Sequence, residues 1–517
     1  MDTATRSSAR TGTVAVVGTG TMGQGIAQVA LTAGHTVRLY DAVPGLAGKA
    51  AGTVLGRLDR LVEKGRLDPA ERDAAHSRLI PAAALGELAD AVLVVEAIVE
   101  DAGVKQQLFA ELEAVVSDDC LLATNTSSLS VTAVAAALRR PGRFVGLHFF
   151  NPAPLLPLVE VVSGFATETS AADRAYGFAA AWGKTPVRCT DTPGFIVNRV
   201  ARPYYAEAFR VYEERAASPA TIDAVLRECG GFRMGPFELT DLIGQDVNEA
   251  VTRSVWESFG QDPRFSPSLA QRRLVESGLH GRKSGRGWYA YDGPGGAAGT
   301  SGTAGRPEPH TAAPAKAPAG ILLHPGDLGP AAVLPHLIAE AGIPVTHAEP
   351  GHEPGIELPG GARLALTDGG RATDVRRAGR IHFDLALDYR TAGRIALAPS
   401  DTALPQDVEA ATGLFQALGK DVAVIDDIPG MIVARTVAML ADFGHDAVGR
   451  GVATAEDVDT AMRLGVNYPL GPLEWSEGLG AVWLCRTLDR LHREYPTGRY
   501  AVSQRLRRRA AATGELL

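Results

Sequence analysis

The chain has 517 residues, is 45% hydrophobic and 21% charged, and carries a net charge of −8; it is too long for one hydrophobic core, so two to four domains are expected. A net negative chain has no general nucleic-acid footprint, no apolar run approaches the roughly 18 residues of a membrane span, and the polar start MDTATRSSARTG lacks the apolar centre of a signal peptide, so a cytoplasmic protein is expected. Cys120, Cys189, Cys229 and Cys485 are scattered without paired spacing, which argues against a disulfide framework and against a metal site.

Residues 1–12 read as a disordered lead-in. From Thr13 the pattern is strand, glycine loop, helix, strand: TVAVVG, TGTMGQGIAQVALTAG, HTVRLYD. Apolar runs near 91–97 (AVLVVEA), 120–125 (CLLATN) and 143–149 (RFVGLHF) alternate with helical segments, which predicts a parallel sheet covered on both faces over 13–190. Past Pro193 the texture turns helical (IVNRVARPYYAEAFRVYEERAA), so 191–292 reads as an all-α domain. Residues 293–320 are nearly all Gly, Ala, Pro, Ser and Thr; such a segment buries too little apolar surface to offset its ordering entropy and reads as a linker. Short apolar runs after it predict a small α/β domain over 321–418 without a glycine fingerprint, and 419–517 is helical again.

That last segment is a duplicate. GKTPVRCTDTPGFIVNR from Gly183 is echoed by GKDVAVIDDIPGMIVAR from Gly419, and MGPFELTDLIG from Met234 by LGPLEWSEGLG from Leu470, each 236 residues further on. Ala434 stands in the place of Asn198. A methyl cannot make an amide's hydrogen bond, so the second copy is expected to keep a packing role only.

Gly18, Gly20 and Gly23, with Thr21 and Met22 between them, form GxGxxG between a strand and a helix. Glycine permits the tight turn and a close backbone approach to a pyrophosphate, and the helix N-terminus favours its negative charge. Asp41, after the second strand, is placed to bridge the adenosine ribose hydroxyls and would repel a 2′-phosphate, which favours NAD over NADP. Downstream, four separated side chains carry chemistry: the Ser127 hydroxyl in NTSSLS, His148 and Glu160 in GLHFFNPAPLLPLVEVV, and the Asn198 amide in DTPGFIVNR. A carboxylate inside an apolar run needs a partner. An imidazole that it orients is a natural one, giving a base for taking a proton from an alcohol as a hydride leaves. The structural alternatives are a core histidine and a Glu160 satisfied by backbone amides.

These motifs, with VVEAIVE, HFFNPAP, GPFELTDLIG and GRKSGRGWY, occur in the order and spacing of the L-3-hydroxyacyl-CoA dehydrogenases, and the first 290 or so residues resemble that family throughout. The resemblance implies a Rossmann NAD-binding domain followed by a helical C-terminal domain. It implies His148 as the base that takes the 3-hydroxyl proton, Glu160 as its orienting partner, Ser127 as hydrogen-bonding the reacting oxygen, and Asn198 as placing the acyl group. Glu100, Lys105, Ser127, Asn151 and Lys283 match family positions that contact NAD. Ser127, Lys64 and, less closely, Arg60 match positions that bind coenzyme A; Arg60 and Lys64 in RLDRLVEKGR lie one helical turn apart, where a solvated face is the ordinary reading.

The whole layout is similar to the long members of the family, in which a reduced Rossmann-like middle domain precedes the duplicated helical domain. Those members imply 3-hydroxyadipyl-CoA in phenylacetate catabolism, with 3-hydroxybutyryl-CoA of fatty acid metabolism as the alternative. Pro157 departs from shorter members, in which a lysine often precedes LVEV, so chain length stays open. A free-acid β-hydroxyacid dehydrogenase would use a lysine base, against which His148 and Glu160 argue. A non-enzymatic NAD-binding protein is the remote alternative. The partners expected are an acyl-CoA substrate, no nucleic acid and no membrane, with either a homodimer or a monomer whose second helical copy replaces the dimer contact.

Overall fold

Five apolar or β-branched residues, TVAVV, pack on both faces and make β1 (Thr13–Val17) a central strand. The computed structural model describes residues 12–293, 307–349, 353–375 and 379–513, so the lead-in lies almost wholly outside the described residues. These form two compact units: residues up to Arg199 together with Arg450–Val466, and Val200–Gly449 together with Asn467 onward.

The first unit holds β1, β2 (Thr36–Tyr40), β3 (Leu79–Ala82), β4 (Ala91–Glu96), β5 (Leu121–Thr124), β6 (Phe144–Phe149), β7 (Leu158–Ser163) and β8 (Thr185–Thr190). They form one sheet in the order β3-β2-β1-β4-β5-β6-β7-β8, parallel except where β7 runs against β6. The order reverses between β1 and β4, where open α/β sheets bind ligands at the carboxyl ends of their strands. Val14, Val16, Leu93, Val95, Leu121 and Ala123 pack against Ile26, Ala27 and Ala30 of the helix Thr21–Thr32 in one core.

In the second unit β9 (Ile321–His324), β10 (Val345–His347), β11 (Gly355–Glu357), β12 (Arg363–Leu366), β13 (Arg380–Phe383), β14 (Arg394–Pro399) and β15 (Asp421–Val424) form a sheet ordered β10-β9-β11-β12-β13-β14-β15. Its last four strands pair parallel, antiparallel, parallel, as β5 to β8 do. The sheet continues past the boundary expected at 419, because the echoed GK motif begins ahead of an edge strand in both halves. Residues 294–306 of the expected linker lie outside the described residues; beyond them the chain is held rather than free, with Ala312 N–H donating to the Val422 carbonyl at 2.7 Å and Ala315 N–H to Gln416 Oε1 at 2.7 Å.

One end of each sheet is covered by a helix from the other copy of the repeat. Within the first unit, helix Ala455–Val466 packs on β7 and β8, and Thr190 N–H donates to the Val452 carbonyl at 2.9 Å. Within the second, helix Pro219–Glu228 packs on β14, and Asp426 N–H donates to the Ala216 carbonyl at 3.1 Å. Thr190 and Asp426 are equivalent in the repeat, as are Ala216 and Val452. Among the described residues no helix is long and apolar enough to cross a membrane, the four cysteines are free and buried, and no group of side chains could hold a metal ion.

Candidate active site

The glycines of the fingerprint are required by their surroundings. Gly18 has φ +101°, and a Cβ there would overlap the Ala97 carbonyl; a Cβ at Gly23 would overlap the Gly18 carbonyl, holding helix and strand apart. Gly20 caps helix Thr21–Thr32 without a side-chain hydrogen bond, and a Cβ built on it would meet nothing within 4 Å, so the loop is open on that side. Thr21 is exposed there, while Met22 packs partly against the core. Asp41 Oδ2 accepts from Thr19 N at 3.1 Å and from its hydroxyl at 2.5 Å, which fixes the carboxylate beside the loop. A backbone cradle open to solvent, a helix N-terminus and an adjacent carboxylate fit a dinucleotide.

Glu100, Lys105 and Ser127 are brought together. Glu100 Oε1 accepts from the Thr126 hydroxyl at 2.6 Å, from Ser127 N at 3.0 Å, and from Ser128 N and Oγ at 3.3 and 3.1 Å. Burial alone would raise its pKa; the Thr126 hydroxyl and the Lys105 ammonium outweigh burial and hold it below the usual range. Lys105 is 1% exposed and ties Glu100, at 3.2 Å, to Glu96, at 2.5 Å. Glu96 was not among the expected site residues. Its one signal is an acid closing an apolar strand, the same signal that marks Glu160.

His148 and Glu160 face each other across the antiparallel pair β6 and β7. His148 Nδ1 lies 2.6 Å from Glu160 Oε2, with 5% and 0% of the two residues exposed. Glu160 Oε1 accepts from Ile196 N at 3.0 Å and Val197 N at 2.9 Å, so the carboxylate acts only as an acceptor and Nδ1 carries the proton. That leaves Nε2 with its lone pair, and it has no hydrogen bond to any described residue. Rings of Phe150 and Phe195 lie 4.5 and 5.9 Å from the imidazole and keep its surroundings apolar.

The turn ahead of helix Val197–Val200 sets up both contacts. Gly194 (φ +76°) is followed by Phe195 at φ +48°, a left-handed backbone rare for an aromatic residue, which aims two N–H groups at Glu160 and places Asn198 next along the chain, half-buried. Asn125 Oδ1 accepts from Phe149 N at 2.9 Å, tying the loop that carries Ser127 to the residue after His148. Ser127, His148, Glu160 and Asn198 thus stand at the ends of neighbouring elements of one unit.

Other expected residues make no hydrogen bond to this group among the described residues. Asn151 is exposed beyond β6. Arg60 and Lys64 are exposed at the end of helix Leu46–Glu63 and make no ion pair with a described residue. Lys283 belongs to the second unit, where its ammonium lies 2.6 Å from Asp246.

The second sheet carries a rearranged version of the pair. Asp384 stands at the position equivalent to His148, and its N–H donates to the carbonyl of Ala396, which replaces Glu160, at 3.0 Å. The Asp384 carboxylate accepts from Ile432, Val433 and Ala434 N at 2.8 to 3.0 Å, the N–H groups equivalent to those on Glu160 and one more. Burial pushes its carboxyl up to about 6 against these four backbone donors, the fourth being Leu385 N. Met431 repeats the left-handed Phe195 at φ +51°. The helix cap is kept; imidazole and amide are gone.

Comparison with known proteins gives the same division of the chain. Residues 13–192 match the NAD-binding domain of 3-hydroxyacyl-CoA dehydrogenase. Residues 194–291 and 430–516 each match the C-terminal domain of that family, and 364–429 match the reduced Rossmann-fold domain of 3-hydroxybutyryl-CoA dehydrogenase. A protein of Escherichia coli K12 named 3-hydroxyadipyl-CoA dehydrogenase is 42% identical over 499 residues, 96% of this chain and 97% of its own. A crystal structure described as 3-hydroxybutyryl-CoA dehydrogenase of Escherichia coli K12 superposes with a TM-score of 0.85 at 41% identity, covering 97% of this chain and 99% of that one. A 3-hydroxybutyryl-CoA dehydrogenase of Mycobacterium tuberculosis is 42% identical over 280 residues, 54% of this chain and 98% of its own.

Proposed function

The chain belongs to the 3-hydroxyacyl-CoA dehydrogenase family, an NAD-dependent oxidoreductase family, and we propose that its substrate is 3-hydroxyadipyl-CoA, oxidised at C3 to the 3-oxo thioester in phenylacetate catabolism. The observation that carries this reading is the end-to-end match, through both helical copies and the middle domain, to the Escherichia coli protein named for that substrate. The solved protein that matches end to end and is described by the four-carbon substrate keeps 3-hydroxybutyryl-CoA as the second reading.

In the proposed mechanism His148 Nε2 accepts the proton of the 3-hydroxyl as the C3–H bond breaks. NAD, when bound, supplies the acceptor for the hydride that leaves C3. Glu160 holds the imidazole in the productive tautomer and offsets the positive charge it gains, an effect strengthened by burial. The Ser127 hydroxyl donates to the oxygen as it becomes a carbonyl, and Asn198 holds the acyl thioester. Asp41 would hold the ribose hydroxyls and Glu100, Lys105 and Asn151 would contact NAD, while Lys64 and Arg60 would offer cations to the CoA phosphates. Four free, buried thiols are in keeping with a reducing, cytoplasmic setting.

Steady-state NADH production from the two thioesters at equal concentrations tests the reading. A kcat/KM preference for the six-carbon diacid supports it; a preference for the four-carbon ester replaces it with the second reading.

A further inference from the structure

Glu96 closes β4 and is fully buried, and the mechanism gives it no part. Its Oε1 accepts from Ile98 N at 2.7 Å and from the Lys105 ammonium at 2.5 Å, and its Oε2 from the Thr124 hydroxyl at 2.7 Å. Three donors face it, as a carboxylate requires. The same ammonium reaches Glu100 at 3.2 Å, and the Glu100 side chain is 37% exposed. Against burial, the Thr126 hydroxyl and the Lys105 ammonium keep Glu100 below the usual carboxylate range and so ionised. No other cation forms an ion pair with either acid among the described residues, so one cation set against two anions leaves a net charge of −1, open to solvent at Glu100. The neighbouring Asp101 is set against the N-terminus of helix Ala102–Val115, where it accepts from Val104 N at 2.9 Å.

The strand order places this group along the cofactor. Strands β2, β1, β4, β5 and β6 are successive and parallel, so their carboxyl ends share one edge at a spacing of about 4.8 Å. Asp41 follows β2 and the glycine loop follows β1, which assigns that side to adenosine and pyrophosphate; His148 is on β6. The stretch left for the nicotinamide half is the end of β4 and β5, where Glu96 and Glu100 stand. We propose that the Glu96–Lys105–Glu100 group biases the site between the two redox forms of its cofactor: its net negative charge favours the cationic ring of NAD over the neutral ring of NADH. As the hydride carries two electrons from C3 to the nicotinamide, the ring loses its positive charge and the hydroxyl proton passes to His148 Nε2. The attraction present before the transfer is absent after it, so NADH is held less tightly, relative to NAD, than a neutral site would hold it, and its release is eased. Glu96 acts through Lys105 as a positioning residue: by engaging the ammonium from the buried side it leaves Glu100 incompletely neutralised. The inference rests on the NAD contacts proposed for Glu100 and Lys105.

The test is a pair of dissociation constants, for NADH by its fluorescence and for NAD by displacement of NADH, on the full-length protein and on Glu96→Gln, Glu100→Gln and Glu96→Asp. Each glutamine variant removes one negative charge, and the ratio Kd(NAD)/Kd(NADH) is expected to rise about tenfold over wild type. Glu96→Asp keeps the charge and should hold the ratio within about threefold. A loss of packing alone weakens both forms alike; a ratio that stays constant or falls in a glutamine variant while both constants weaken overturns the redox bias and leaves the NAD contacts standing. Both constants unchanged in Glu100→Gln overturns the placement of Glu100 against NAD, and the inference with it. If Glu96→Gln fails to fold, Glu100→Gln, on the exposed side of the group, carries the comparison.

Discussion

Asp384 stands where the repeat would put a second His148, and it does the work of Glu160 from the opposite strand. In the first sheet the carboxylate on β7 both caps the following helix and binds the imidazole on β6. In the second sheet a carboxylate just beyond β13 caps the helix alone, opposite Ala396. The cap is an architectural need of both halves; the base is needed once.

Asp384→Asn therefore separates the two roles. One amide oxygen cannot accept from four N–H groups, and the amide NH2 would face donors, so stability falls by about 1–3 kcal/mol. The loss appears as a lower Tm with kcat unchanged. Calorimetry of the wild-type protein should give one NAD per chain, since Pro325-Gly326-Asp327 follows β9 where Gly18 and its neighbours follow β1. Two NAD per chain would contradict a packing role for the second half.

His148→Ala removes the proposed base with little effect on the fold, because the imidazole makes one hydrogen bond. kcat is expected to fall about 10³-fold with KM for NAD nearly unchanged. Glu160→Gln keeps an acceptor for part of the helix cap and loses the charge, so about 10²-fold in kcat should go together with a lower Tm. A His148→Ala variant with wild-type turnover would remove His148 from the mechanism.

Asp41→Ala takes away the carboxylate beside the loop. kcat/KM with NAD should drop about tenfold or more, while the ratio of NADP to NAD turnover rises, because the repulsion of a 2′-phosphate is gone. An unchanged ratio would mean that other groups set the cofactor preference.

Glu207 predicts an acid limb in the stability curve. Burial pushes it up, but Arg499 at 2.6 Å and Arg435 at 2.8 Å outweigh this and bring it down to about 2. Its folded pKa is thus below the ordinary 4.5, so the stabilisation is complete above that value and is lost as pH falls from 4.5 toward 2. Roughly 3 kcal/mol is involved. Urea unfolding at pH 6 and pH 3 should show a larger loss in the wild type than in Glu207→Gln, which is less stable at both because two arginines lose their counter-charge.

The glycine fingerprint, the duplicated helices and the His148–Glu160 pair were legible because each leaves a mark in residue type: glycine where a Cβ collides, repeated motifs at fixed spacing, an acid inside an apolar run. Other features leave none. The 307–320 segment is fixed by its own main chain on β15, and backbone hydrogen bonds do not alter composition. Asp384 escaped notice because its carboxylate moved to the neighbouring strand, breaking the one-to-one echo. Arg202 at the start of an amphipathic helix looks like any solvated cation until its burial against Tyr205 is known.

The exchange of edge helices bears on how the chain can be made. β8 belongs to the catalytic sheet, yet the helix Ala455–Val466 that covers it follows it by about 265 residues along the chain. A nascent catalytic half must wait, with the apolar side of β7 and β8 uncovered, until the whole second sheet and the helix beyond it have left the ribosome. Contacts of such sequence separation slow folding and lengthen exposure to aggregation. Cutting the gene between its two halves would give fragments that each lack the other's cover, so the duplication works as an inseparable whole and not as two domains in a row.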